Sequence, residues 1–242
     1  MTIAEKLQTI AENELKVYNA GYEKGKAEGG GDSYYDEFWD IIQENGNRTN
    51  YNTVFCGKAW TAETFKPKYP IKPSNATNMF QFSGITTNDY IKSVDFSGSV
   101  SMNSVFYNSD VTELGVIDCS KTVSGWSGAV SCFVNCKQLK SIEKIIPPPA
   151  GVNFDAFRQC YALTDIVFEG DVASTTNLQE STLLSKASIT SLINALSTTT
   201  SGLSITLSKT AVNTAFNMTD DNPSEEWSKL IEPKGNWTIT LI

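Results

Sequence analysis

The chain has 242 residues, 40% of them hydrophobic, with 27 acidic and 19 basic side chains for a net charge of −8. That sign argues against nucleic acid or anionic membrane as the main partner, since both recruit basic patches. Histidine is absent, which removes the commonest general base and metal ligand and rules out any Ser-His-Asp or Cys-His arrangement.

Residues 2–28 are expected to be helical. Thr2 and Glu5 have the spacing of a capping box. Ile3, Leu7, Ile10 and Val17 form an apolar seam, which Glu14 and Lys24 interrupt. A lone helix of this size is marginal in water and needs a partner surface. Gly21, Gly25 and Gly29 follow at steps of four, each costing about 1 kcal/mol inside a helix. The spacing reads either as close backbone contact with another chain or as a fraying end that leads into a hinge. No basic n-region or unbroken apolar run is present, so no signal peptide is expected. No apolar run of about 18 residues suggests a transmembrane helix.

Asp32 to Asn45 reads as a second short helix, capped by Asp32 or Ser33. Its face of Tyr35, Phe38, Trp39 and Ile42 suits a cap over an open apolar end.

From residue 51 a phenylalanine recurs at Phe55, Phe80, Phe106, Phe133 and Phe157, at spacings of 25, 26, 27 and 24 residues. Around the last two the apolar ladder is the same: Phe133, Cys136, Leu139, Ile142 and Phe157, Cys160, Leu163, Ile166. An internal repeat of this length implies stacked units that bury their apolar edges against one another. Strands are expected at Ile91–Phe96, Glu113–Asp118, Lys140–Ile145 and Thr164–Phe168. Pro147, Pro148 and Pro149 are read as an outward corner. Beyond Phe168 a helix is expected over Ser188–Leu196, a strand over Gly202–Leu207, a helix over Thr210–Phe216 and a closing strand over Trp237–Leu241. Asn222-Pro223-Ser224-Glu225 reads as a helix start with proline at the first helical position.

The ladder Ala156–Phe168 resembles the BspA type of bacterial leucine-rich repeat, and Cys132–Ile142 matches it nearly as well. The resemblance covers roughly residues 51–242. It implies an α/β solenoid, a leucine-rich-repeat coil with short parallel strands behind an N-terminal helix and helical cap. The segments AGYEKGKAEGG and SYYDEFWDIIQENG resemble the N-terminal parts of leucine-rich-repeat proteins from phage and prophage tail modules of Gram-positive bacteria. That second resemblance implies a virion component made in the host cytoplasm. Residues 1–30 would attach it to tail or baseplate proteins, residues 31–50 would cap it, and residues 51–242 would be displayed. The attachment residues would be Ile3, Leu7, Ile10, Val17, Gly21 and Gly25, with a homo-oligomer such as a trimer as the associated state.

No catalytic constellation is found, and no enzyme activity, metal or cofactor is expected. The five cysteines contain no CxxC pair and read as small core residues. The stretch TDDNPSEE lacks the EF-hand spacing and reads as helix capping. The function expected is receptor binding at a host surface, through a glycan or a protein. The alternative is a cell-surface adhesin of the same repeat type. The outward polar residues of the solenoid include Lys92, Asp95, Lys140, Glu143, Asp165, Ser204 and Thr206, of which Lys140 and Asp165 are candidate contacts. Aromatics anchor such contacts best, and the candidates are Tyr107, Trp126 and Tyr161.

Overall fold

The computed structural model describes residues 39–58, 60–123, 129–219 and 222–242. The attachment residues Ile3, Leu7, Ile10, Val17, Gly21 and Gly25, the first part of the cap and Trp126 lie outside the described residues. Residues 39–42 are helical. Trp39 is fully buried and packs its ring 6.1 Å from Phe55, 5.9 Å from Trp60 and 6.1 Å from Phe65.

The recurring phenylalanines stand in file. Ring centroids are 5.4 Å apart for Phe55 and Phe80, 5.2 Å for Phe80 and Phe106, 6.0 Å for Phe106 and Phe133, and 5.3 Å for Phe133 and Phe157. The rings are within 22° of parallel and all five side chains are buried.

The backbone around each ring is a ribbon of overlapping turns. Residues two before the ring are left-handed at Thr53, Asn78, Ser104 and Ser131, and residues two after it are left-handed at Gly57, Phe82, Asn108, Asn135 and Gln159. Alternate N–H groups bond within the ribbon, as Met79 N–H to Ala76 O at 3.0 Å and Gln81 N–H to Asn78 O at 3.1 Å. The others bond to the next passage of the chain. Asn78, Phe80 and Phe82 donate to Asn103 O, Val105 O and Tyr107 O at 2.9, 2.8 and 2.9 Å. Ser104, Phe106 and Asn108 repeat this onto Val130 O, Cys132 O and Val134 O at 3.0, 2.8 and 2.9 Å. These bonds all run from the earlier passage to the later one. Glu180 closes the series, its Oε2 accepting from the Gln159 N–H at 2.7 Å.

Three strands follow the ribbons in parallel: β1 (Glu113–Asp118), β2 (Ser141–Ile146) and β3 (Asp165–Phe168). They pair in chain order, with Leu114 opposite Ile142 and Ile142 opposite Ile166, and these three side chains enter the core. The strand expected at Ile91–Phe96 does not form. Instead there is a short helix, α1 (Asp89–Lys92), and a 3-10 turn at Phe96–Gly98. Side chains take the backbone away from a strand ladder there. Asn88 Oδ1 accepts from the Ile91 N–H at 2.9 Å, and its amide donates to Ala62 O and Phe65 O at 3.0 and 2.9 Å. Asp95 Oδ1 accepts from the Ser97 N–H at 3.1 Å.

Gly115 in β1 lies against the Lys92 backbone, where an added Cβ would overlap the Lys92 carbonyl oxygen. Neither group is a flexible chain end, so Gly115→Ala should cost about 1–3 kcal/mol, as overpacking of a rigid contact does. Urea denaturation checks this, and a change below about 0.5 kcal/mol would show that β1 shifts freely.

The second sheet holds β4 (Thr176–Leu178), β5 (Leu203–Leu207) and β6 (Trp237–Leu241), again parallel and in chain order. Between its strands lie α2 (Lys186–Ala195), α3 (Lys209–Phe216) and α4 (Glu225–Ile231). Serines start all three: Ser185, Ser208 and Ser224 accept from the N–H of Ser188, Ala211 and Trp227. Ser224 is therefore the cap of α4, and Pro223 precedes it instead of occupying the first helical position. The prolines read as an outward corner are mostly inward: Pro147 and Pro148 are buried and only Pro149 is exposed.

Hydroxyl groups join the first sheet to α2. The Ile166 and Phe168 N–H groups of β3 donate to Ser188 Oγ and Ser191 Oγ of α2 at 2.9 and 2.8 Å. The same hydroxyls donate to Thr164 O and Phe168 O at 3.1 and 3.3 Å, standing where a fourth strand would. One apolar cluster runs from Trp39 to Trp237. Among the described residues, no helix is long and apolar enough to cross a membrane.

Candidate functional site

The thiols belong to the core. Cys136 Sγ donates to Phe106 O at 2.9 Å, and Cys160 Sγ donates to Phe133 O at 3.2 Å. Cys132 Sγ lies 3.0 Å from Met102 O. Burial pushes the Cys136 thiol up to about 12 and raises Cys132 and Cys160 well above the ordinary value. The thiolate is the reactive form, so these three cysteines should resist Ellman's reagent at pH 8 until the chain is unfolded. Half-buried Cys56 should react first. Folded Cys136 titrates higher than an unfolded thiol at about 8.5. Its contribution is therefore whole below that pH and is lost as the pH climbs toward about 12. Prompt reaction of all five thiols in the native chain would refute this. Among the described residues, no group of three or more histidine, cysteine, aspartate or glutamate side chains could hold a metal ion.

The outward face of the first sheet is edged by ion pairs. Lys92 Nζ is 2.5 Å from Glu113 Oε2, and Lys144 Nζ is 2.6 Å from Glu169 Oε2. The Lys92 hydrogen bond holds the Glu113 carboxyl below its usual range, and the Glu169 hydrogen bond raises Lys144. Two of the expected strand-face residues lie elsewhere: Lys92 ends α1, and Asp95 caps the 3-10 turn. Hydrogen bonds from the Ser97 hydroxyl and N–H keep the Asp95 carboxyl low.

The candidate contacts fall into two groups. Lys140 and Asp165 are exposed neighbours at the start of the strands, where the Asp165 N–H donates to Lys140 O at 3.1 Å. Asp165 Oδ2 accepts from Thr164 Oγ1 at 2.8 Å. Tyr107 and Tyr161 stand apart from these, on the turn ribbons. Tyr161 is 45% exposed, with its hydroxyl 3.5 Å from Glu180 Oε1. Tyr107 is half-buried and meets Phe82 edge to face, centroids 5.7 Å apart and planes at 81°.

Phe82 was not a candidate from the sequence. Its signal was available: it occupies the place of Gly57, Asn108 and Asn135 two residues after the repeated phenylalanine. Reading it requires aligning the repeats residue by residue.

A cleft of about 470 Å³ opens between residues 151–155 and the strands β4 and β5. Asn153, Asp155, Thr175, Asn177 and Thr206 line it. Asp155 Oδ2 pairs with Arg158 Nε at 3.2 Å, while its Oδ1 is buried without a hydrogen-bond partner. Ser204 and Thr206 of β5 are both half-buried, and Thr206 is opposite Asn177. Exposed rings, amides and hydroxyls are groups suited to recognising a polar ligand.

No protein-family model, curated protein or solved structure matches the chain.

Proposed function

We propose that residues 51–242 form a leucine-rich-repeat solenoid of the BspA type, and that the chain displays it on a phage, prophage or tailocin tail. Residues 1–30 attach it to tail or baseplate proteins, and the displayed part binds a glycan or protein of the host surface without catalysis. The file of phenylalanines and the parallel strands in chain order support the repeat reading. One observation carries the display reading: aromatic side chains are held outward on a backbone fixed by hydrogen bonds to its neighbours, Phe82 at 41% and Tyr161 at 45% exposure. Aromatic rings fixed at the surface in this way are the side chains that anchor a glycan or protein contact best.

The test is immunogold electron microscopy on particles from induced cultures, using antibodies to the full chain. Label is expected at the tail tip, and the purified full chain should decorate host cells. Label on the cell envelope with bare particles would replace this reading with the adhesin. Failure to decorate cells would remove the binding role altogether.

A further inference from the structure

In every passage the residue two after the core phenylalanine is left-handed, and three of the five are Gly57, Asn108 and Asn135. Glycine and asparagine take that conformation at least cost. Phe82 sits at the same place with φ 58°. A bulky side chain there is strained, as Gln159 is at the same place with φ 62°, and the hydrogen bonds of the ribbon hold it. The ring is left 41% exposed. Its neighbour across the ribbon is the Tyr107 ring, set at 81° to it.

We propose that Phe82 and Tyr107 form a binding site for a neutral glycan, with the C–H face of a pyranose ring against one aromatic face. The inference rests on the surface-binding reading and names its ligand class. Two rings at right angles form a corner that touches a puckered ring from two sides. The corner is pre-shaped. The Phe82 N–H donates to Tyr107 O at 2.9 Å, and the core rings of Phe80 and Phe106 stack 5.2 Å apart on the same two passages.

The surrounding chemistry selects against charge. The nearby charges cancel, with Lys58 Nζ 2.7 Å from Asp110 Oδ2 and also reaching Ser83 O at 3.5 Å. Next in the chain to Tyr107, Asn108 Oδ1 accepts from Asn135 Nδ2, so its side chain is held by the following passage. The corner is also small. Two side chains fall far short of the roughly 800 Å² per partner that a stable protein interface covers.

The test uses the full chain and its Phe82→Asn and Tyr107→Ala variants on an array of neutral hexose and N-acetylhexosamine oligosaccharides. Saturation-transfer NMR on the best binder, and decoration of host cells, complete it. Phe82→Asn installs the residue found at this place in the next two passages, so it should melt within about 2 °C of the unchanged chain. Both variants should bind the oligosaccharide at least about tenfold more weakly, as loss of an aromatic anchor does. Saturation should transfer to the tyrosine-facing ring protons. Phe82→Asn that binds as well as the unchanged chain overturns the site. If that variant also melts many degrees lower, the ring serves packing alone. An unchanged chain that decorates cells but binds no neutral oligosaccharide overturns the ligand class and leaves the surface-binding reading standing. One that does neither removes both.

Discussion

Truncating Phe133 to alanine should lower the unfolding free energy by roughly 3–5 kcal/mol, the range for an aromatic removed from a core that cannot close up. Its ring is fully buried, with Phe106 on one side at 6.0 Å and Phe157 on the other at 5.3 Å. Collapse is blocked because the backbone is tied on both sides. The Phe106 N–H donates to Cys132 O at 2.8 Å, and the Phe133 N–H donates to Ala156 O at 3.0 Å. Moving either passage inward would break these bonds. Urea denaturation followed by circular dichroism measures the loss. A loss of about 1 kcal/mol would mean the rings are not a shared core.

The second large effect is expected at Lys234. Its side chain is buried at 7% exposure, and its Nζ donates to Leu196 O at 2.6 Å and to Asn194 O at 3.0 Å. Both carbonyls belong to the end of α2, where a cation also meets the negative end of the helix dipole. Next to it, Asn236 Nδ2 donates to Ser197 O at 2.9 Å and Trp237 Nε1 to the same oxygen at 2.8 Å. Residues 234–237 therefore hold the loop after α2 and, through β6, fasten the second sheet. Lys234→Met keeps the apolar stem and removes the donors. Two carbonyls are then left without their charged partner, a loss of about 3 kcal/mol. Thermal unfolding followed by circular dichroism reads the change, and Lys234→Arg should recover part of it. A methionine variant as stable as the unchanged chain would show that water replaces the ammonium group.

Much of this architecture was legible in the residues because it is periodic. The phenylalanine spacing marked the ring file, and helical spacing at Ile189, Leu192 and Ile193 marked α2. The strands β1, β2 and β3 begin within one residue of expectation. What stayed hidden depends on contacts far apart in the chain. The helix α1 forms because Asn88 reaches Ala62 and Phe65, which no local pattern announces. The strand β4 spans Thr176–Leu178 only, too short for an alternation to show. Ser188 and Ser191 look like ordinary helix serines, yet they replace a strand edge. Of the candidate surface, Tyr107 was legible as an aromatic beside the repeat. Its partner was not, since the strain at Phe82 is a property of the backbone and not of composition.

The turn ribbons give the molecule an electrical direction. Peptide N–H groups aim at the later passage on every rung, so the stack has a donor pole near Gln159 and an acceptor pole near Thr53. Glu180 supplies a negative charge at the donor pole, much as a carboxylate does at the start of a helix. Any rung inserted midway would meet the same donors above and acceptors below. The stack can therefore lengthen or shorten by whole rungs while both of its ends keep their original chemistry.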